Sequence, residues 1–308
     1  MGWLLGDEIL AGILITFLCG LCATVLLHRW TLDRLGPTAA RTTVLLLLLF
    51  PYSWYLFGAV YADALFLVMV LTAFVLLERG HPVVAGLAGA VATATRPVAL
   101  AVVVGLIAVT IQRRGGWREL RNLRPADAGV LLSVTGLVAW SGYLWGRFGD
   151  PLLWVRIQQA PGWDQGSGPH TWFKVTFLQR LKHLPFWLSD VVSGSTIHHP
   201  KPWTESVYTL GLLLQASLLA GLLALVVVVW RRLGWGYAAY AITLLVVPLV
   251  GTKDFQGVGR YLLAAFPCLA VLATLLDQRP RLRLATFAVG AMLLTLLASA
   301  YARGYYVA

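Results

Sequence analysis

The sequence has few charged residues. Charged side chains make up 12% of the 308 residues, whereas soluble domains carry roughly a quarter. Hydrophobic residues make up 59% of the chain, and the mean hydropathy is +0.76. This composition is typical of an integral membrane protein.

Cysteine and metal-binding patterns are also scarce. Cys19 and Cys22 form a CxxC pair inside an apolar run, where packing is favoured over redox or metal chemistry. His198 and His199 adjoin each other and His170 precedes them, but no cysteine accompanies them, which makes a zinc site a poor interpretation. No phosphate-binding glycine loop or nucleophile elbow occurs. We therefore predict no cofactor, and the sequence leaves the use of a divalent metal open.

The apolar runs lack ionisable residues near their centres, so nothing resembles an ion or proton relay. Nor do two halves with matching interrupted helices occur, which are the usual sign of an alternating-access transporter. Transport is therefore a minority interpretation.

The apolar runs themselves predict an all-α polytopic fold with about ten transmembrane helices. The stretch from Val83 to Gln112 is divided at "TATRP" because Arg96 and Pro97 would otherwise lie in mid-membrane, where arginine is costly and proline disfavours helix at the residue before it. The predicted spans lie near residues 9–28, 43–59, 63–78, 83–95, 97–112, 127–147, 205–230, 235–251, 259–276 and 283–302.

The distribution of basic residues orients these spans. One set of short loops holds 14 of the 24 Lys and Arg residues, and the positive-inside rule places that set in the cytoplasm. Both termini are then outside. The net charge of +11 is read as a topology signal with membrane lipids as partners, and nucleic acid is a poor interpretation. The many arginines, alanines and leucines favour a bacterial source and hence the plasma membrane.

Three regions follow from this topology. Residues 1–147 form an N-terminal bundle of six spans, residues 148–204 an extracytoplasmic loop, and residues 205–308 a C-terminal bundle of four spans. The loop is rich in tryptophan and contains an amphipathic stretch at 172–188 that predicts a helix in the membrane interface, with Trp, Phe and Leu on one face and Lys174, Arg180 and Lys182 on the other. A surface anchor and a lid that contacts a sugar or a lipid both remain open for it.

Cationic residues gather in the short outward turns. Arg96, Lys253 and Arg260 lie at the same predicted membrane face, where they can bind the phosphate of a membrane lipid. Snorkelling of the same side chains to headgroups is the alternative.

Two segments carry a resemblance to a known family. The first, "ARTTVLLLLLFPYSWYLFGAVYADALFLVMVLTAFVLLERGHPVVAGLAGAVATATRPVAL", resembles a stretch of the PIG-V-type GPI mannosyltransferases and their bacterial relatives, and "GVGRYLLAAFP" resembles a late element of the same family. "GDPLLWVRIQQAPGW" is similar to a segment that follows the family's middle spans. The matching positions are Phe50, Pro51, Tyr61, Asp63, Leu65, Phe66, Ala85, Gly86, Thr95, Arg96, Pro97, Arg260, Tyr261, Phe266 and Pro267.

The resemblance implies a GT-C-type membrane glycosyltransferase. Such an enzyme takes mannose from a polyprenyl-phosphate donor and transfers it to an acceptor on the extracytoplasmic face without requiring free divalent metal. Asp63 stands where the family has an acidic residue, more usually glutamate, and it is the candidate for the catalytic carboxylate. The full predicted site adds Arg96, Arg260 and Lys253 for the donor phosphate, and Tyr61, Tyr261 and Trp163 for substrate contacts.

One departure from the family pattern favours a second hypothesis. Family members begin with a helix and an outer loop that carries a Trp-Asp motif with the catalytic aspartate, and this sequence resembles the family only after that loop. Either the true start lies upstream, or the chain is a fragment, or a diverged member uses another carboxylate. The rival hypothesis is a non-catalytic membrane subunit or scaffold that keeps a lipid-phosphate site. The acceptor, the exact sugar and the oligomeric state are left open.

Overall fold

The computed structural model describes residues 6–160, 165–166 and 168–305. These residues form helices and connecting loops, with no β-strand in the described ranges. Four helices are long and apolar enough to cross a membrane, and a fifth candidate is a pair of segments bent by 75° at Ala265. These helices agree with the membrane protein predicted from composition. The four are Glu8–Leu35, Pro125–Phe148, Pro202–Leu233 and Pro280–Ala302, and the bent pair is Val258–Ala264 with Phe266–Asp277.

Fifteen α-helices are numbered here in chain order over the described residues. They are α1 (Glu8–Leu35), α2 (Pro37–Leu48), α3 (Trp54–Phe57), α4 (Asp63–Glu78), α5 (Pro82–Thr95), α6 (Leu100–Arg113), α7 (Thr135–Phe148), α8 (Leu153–Arg156), α9 (Pro169–Trp172), α10 (Val175–Ser193), α11 (Pro202–Leu233), α12 (Trp235–Gly251), α13 (Val258–Tyr261), α14 (Phe266–Asp277) and α15 (Pro280–Ala302). Short 3₁₀ segments at Pro97–Ala99, Trp117–Asn122, Pro125–Val134, Ile157–Gln159 and Leu262–Ala264 join or extend them.

Helix α4 is the central element of the bundle. It is apolar on every side, and a helix of that kind is stable only when other elements surround it. Helices α1, α5 and α6 pack around it. Its two carboxylates, Asp63 and Glu78, occupy its first and last positions, so that its interior contains no charge.

The predicted break at "TATRP" is confirmed. Helix α5 ends at Thr95, and Arg96 is extended with φ −154° and ψ 141°. The cause is Pro97, because a proline ring clashes with the helical conformation of the residue before it. A 3₁₀ turn at Pro97–Ala99 then leads into α6.

Side-chain contacts fix the directions of these helices and define two ends of the bundle. Arg96, just after α5, pairs with Asp63 at the start of α4, whereas Arg113 at the end of α6 donates to the carbonyl oxygens of Leu77 and Glu78 at the end of α4. Helix α5 therefore runs antiparallel to α4, and α6 runs antiparallel to α5. We call the two ends of the bundle the Asp63 end and the Glu78 end.

The later helices keep the same alternation. The Gln112 amide donates to Leu233 O at 3.5 Å and accepts from Gly236 N at 2.6 Å, so α11 ends and α12 begins at the Glu78 end. At the Asp63 end, the ring of Tyr301 near the end of α15 stacks on that of Trp54, with centroids 4.2 Å apart. The direction of each helix thus follows from contacts between its ends and those of α4 to α6.

Helix α15 lies at the periphery. Leu297 is its one buried residue, whereas Leu284, Met292 and Leu296 are more than 60% exposed. Apolar side chains that face outward over the length of a helix are typical of contact with lipid.

Small residues set the closest helix approach in the structure. A methyl group added at Gly136 would lie 1.7 Å from Ala90 O, and one added at Gly86 would lie 2.0 Å from Gly129 O. The segment Pro125–Phe148 therefore packs backbone to backbone on α5, as small residues allow between membrane helices.

We expect Gly136→Ala to lower the free energy of unfolding by about 1–3 kcal/mol, because the backbone of α5 has to move to admit the methyl group. Gly142→Ala is the matched control, since the same helix has open space at that position. Thermal unfolding in detergent measures both. Equal melting temperatures for the two variants would contradict the close packing.

Candidate functional site

Five of the seven residues predicted for the site come together at the Asp63 end. Asp63 begins α4, Arg96 occupies the break after α5, and Arg260 and Tyr261 lie in the short helix α13. Tyr61 precedes α4 by two residues. Residues far apart in sequence thus meet at one end of the bundle, where the chain breaks before α4, after α5 and around α13 lie together. Polar side chains at these breaks do not have to lie in the apolar interior.

The Asp63 and Arg96 side chains form a buried ion pair. The Asp63 side chain is 3% exposed and that of Arg96 is 9% exposed, and Arg96 Nη2 donates to Asp63 Oδ2. Pairing is necessary here because a lone buried charge costs several kcal/mol of effective desolvation. Arg96 Nε is also buried, and it has no hydrogen-bond partner among the described residues. One donor of this guanidinium is therefore left for another group.

Both arginines of the cluster stack on tyrosine rings. The Arg96 guanidinium lies 5.1 Å from the Tyr261 ring centroid, and that of Arg260 lies 5.2 Å and 5.0 Å from the centroids of Tyr55 and Tyr61. Such stacking orients a planar guanidinium while leaving its edge for an anion. The two tyrosines under Arg260 also contact each other edge to face at 5.1 Å.

The cluster has an excess of positive charge. It contains two guanidinium groups and one carboxylate, and both Arg96 and Arg260 act on Asp63 electrostatically. The described residues that make these contacts therefore carry a net charge of about +1 at neutral pH. A phosphate group is the natural partner for a pair of arginines of this kind.

The backbone under Arg260 is held by residues that the sequence did not single out. The ring of Tyr52 lies directly on Gly259, where an added methyl group would meet ring atoms at 2.4–2.6 Å. Gly259 N donates to the buried amide of Gln215 at 2.9 Å, and Gly257 takes a positive φ of 79° to start the turn. A glycine at position 259 thus lets α13 approach Tyr52 closely enough to place Arg260.

The other two predicted residues lie differently. Lys253 lies in the loop after α12 at the same end of the bundle and is partly exposed. Trp163 lies outside the described residues.

A second polar group lies beside the first. Lys174 Nζ donates to Thr252 O, and its ammonium group lies 5.1 Å from the Phe255 ring centroid. Tyr208 OH donates to the buried Asp254 at 3.3 Å. The sequence placed Lys174 on the polar face of the amphipathic stretch, and this prediction was wrong, because the residue is only 7% exposed. Lys174 lies just before α10 with a φ of 55°, so it does not continue the face of that helix.

Helix α10 itself packs on α11, and its buried residues include Phe177, Leu184 and Trp187. Its opposite side leaves Leu178 and Phe186 exposed, in agreement with a helix at an apolar boundary.

The histidines of the loop have structural contacts. Asp190 accepts from His198 N and Ser195 Oγ, each at 2.8 Å, which ties the loop after α10 to that helix. Burial raises the pKa of Asp190, but the hydrogen bonds from His198 and Ser195 outweigh it and lower the pKa to about 2. Within the described ranges, no group of three or more His, Cys, Asp or Glu side chains is placed to hold a metal ion.

Comparisons of the chain with protein-family models, with curated proteins and with solved structures found no match in any of the three. The geometry of the side chains therefore has to carry any functional conclusion.

We expect Gly259→Ala to lower the free energy of unfolding by about 1–3 kcal/mol, since the added methyl group would overlap the buried ring of Tyr52. Gly251→Ala at the end of α12 is the control, because a methyl group there meets no atom within 4 Å. The measurement is thermal unfolding of both variants in detergent. Identical melting of both would show that Tyr52 does not hold α13 in place.

The lowered pKa of the buried Lys174 predicts that the stability of the protein depends on pH. Burial lowers the pKa of Lys174 from 10.5 to about 8, although the nearby Asp254 acts in the opposite direction. Between these two pH values the unfolded chain binds more protons than the folded chain, so stability rises with pH. The melting temperature of the wild type relative to Lys174→Met is therefore expected to rise from pH 8 to 10. Lys182→Met, at an exposed position of α10, should show no such trend.

Proposed function

We propose that the chain is a membrane glycosyltransferase of the GT-C type, which transfers mannose from a polyprenyl-phosphate donor to an acceptor at the extracytoplasmic face. The observation that carries this proposal is the cluster of Asp63, Arg96 and Arg260 at one end of the helical bundle. Its residues are those through which the sequence resembles the PIG-V-type mannosyltransferases.

The proposed arrangement in the membrane has ten spans, both termini outside and the Asp63 end at the outer surface of a bacterial plasma membrane. The support for it is that the arginine-rich loops meet at the Glu78 end, where Arg34, Arg79 and Arg113 lie, and the positive-inside rule assigns such loops to the cytoplasm. The helices shorter than a membrane core pack on neighbouring elements of the bundle, which can shelter ends that do not reach both lipid surfaces.

In this proposal the two arginines bind the phosphate of the donor. Arg96 and Arg260 both act on Asp63 electrostatically, and their guanidinium groups lie over the rings of Tyr261 and Tyr61, which helps to orient them before the lipid arrives. Positive groups fixed beside a departing phosphate stabilise the charge that develops on it as the bond to the sugar breaks.

The ion pair gives Asp63 a specific part in the proposed reaction. A donor phosphate that binds Arg96 competes with the carboxylate for the same guanidinium edge. Once released from Arg96, Asp63 would be the nearest carboxylate to take the proton of the acceptor hydroxyl. The exposed ring of Tyr61 at the rim would offer a surface on which a sugar can stack.

A non-catalytic membrane subunit or scaffold is the second candidate. The burial of Asp63 and its pairing with Arg96 favour it, because a carboxylate in that state holds an arginine in position without reacting. A phosphate site of the same residues would then bind a lipid and transfer nothing.

Two arginine variants test the proposed donor site. We expect Arg96→Ala and Arg260→Ala each to weaken binding of polyprenyl-phosphate-mannose about tenfold or more, because each loses a charged hydrogen-bond donor. Arg303→Ala, an exposed position just after α15, serves as the control. Binding of this lipid by both variants as tightly as by the wild type would overturn the donor site.

Asp63→Asn separates the two candidates by keeping the side chain's shape while removing its charge. For an enzyme, we expect mannosyl transfer to fall at least about a hundredfold while donor binding persists. Unchanged transfer in a normally folded variant would remove Asp63 from the reaction. Donor binding by the wild type without any transfer would favour the scaffold.

A further inference from the structure

A second cluster of arginines surrounds a cavity at the Glu78 end. The cavity has a volume of about 260 Å³ and is lined by Leu77, Gly80, Pro82, Thr110, Arg113, Arg114, Arg124 and Asp127. Pockets for drug-sized ligands occupy roughly 300–1,000 Å³, so this one suits a smaller group. It lies about 24 Å from the Asp63 end, the length of the 16-residue helix α4.

Two of the three arginines are fixed in place. Arg113 donates to the carbonyl oxygens of Leu77 and Glu78, and Arg114 makes a two-pronged contact with Asp127 at 2.8 Å for each bond. Arginines that snorkel to lipid headgroups extend outward on flexible chains. These two instead turn toward protein atoms and line a concave surface.

Positive charge exceeds negative charge at the cavity wall. Among its lining residues there are three guanidinium groups and one carboxylate, Asp127, which also accepts from Arg124 N at 2.8 Å. The nearby Glu78 is already paired with Arg34. Helix α5 begins at Pro82 in the same wall, and the amino end of a helix attracts anions.

From this geometry we infer that the cavity binds a phosphate group, carried either by an anionic lipid headgroup or by a soluble phosphate. Three arginines around a concave surface provide more donors than Asp127 and the carbonyls can accept, and phosphate oxygens complement the planar guanidinium fork. The inference is independent of the proposed transfer reaction, because none of its residues belongs to the cluster at the Asp63 end.

The test measures binding to the full chain purified in a maltoside detergent. Inorganic phosphate is titrated with thermal unfolding as the readout, and retention of phosphatidylglycerol is compared with that of phosphatidylcholine by native mass spectrometry. Arg124→Ala is the first variant, because the hydrogen bond from the backbone N–H of residue 124 to the Asp127 carboxylate does not depend on the side chain. Arg121→Ala is its control, since that side chain is 84% exposed in the same loop.

We expect Arg124→Ala to weaken phosphate binding about tenfold, the loss of one charge-assisted contact, while Arg121→Ala matches the wild type. Asp127→Asn should have the opposite effect and strengthen binding several-fold, because it removes the one competing carboxylate. A variant that merely loosened the fold would weaken binding, so an increase cannot come from misfolding.

The two probes distinguish the sources of phosphate. If both variants change the binding of inorganic phosphate, the ligand is a soluble phosphate. If they change only the retention of phosphatidylglycerol, the ligand is a lipid headgroup. If neither probe responds to Arg124→Ala and Asp127→Asn in these directions, the inference is overturned.

Discussion

The cost of leaving a charge unpaired in a low-dielectric interior governs this structure. Helix α4 is buried on all sides and carries one carboxylate at each end, Asp63 and Glu78. Each of them is paired with an arginine from another part of the chain, Arg96 and Arg34 respectively. The two pairs fix the depth of α4 and the positions of the chain breaks on either side, because sliding the helix by one turn would pull a carboxylate away from its partner.

The sequence predicted the position of the break and the members of the cluster at the Asp63 end. Pro97 disfavours the helical conformation at Arg96 whatever the rest of the fold is. Polar residues at the ends of apolar runs are expected at the surface of the bundle. The pairing of Asp63 with Arg96 and the position of Tyr55 under Arg260 needed the structure, since both depend on how separate segments pack together.

Other features depend on contacts that no local pattern carries. The sequence did not single out Tyr52, yet its ring supports Gly259 more than 200 residues later. Trp30 donates both to Glu78 at 3.3 Å and to Tyr237 at 3.1 Å, and no sequence motif marks it. Lys174 was misread because it precedes α10 with a positive φ, so it does not follow the helical periodicity of the stretch. Such contacts depend on which apolar helices pack together, and the apolar runs are too similar in sequence to predict that.

The uneven helix lengths bear on how the chain enters a membrane. Helices α2, α5, α6 and α12 have only 12–17 residues, so at a rise of about 1.5 Å per residue none of them matches a hydrocarbon core of roughly 30 Å by itself. Their neighbours α1 and α11, with 28 and 32 residues, are long enough. In the proposed ten-span arrangement, the short segments would need long helices already in the bilayer to shelter their ends, so that integration would be a collective step. Peripheral α15 is long enough to be added last.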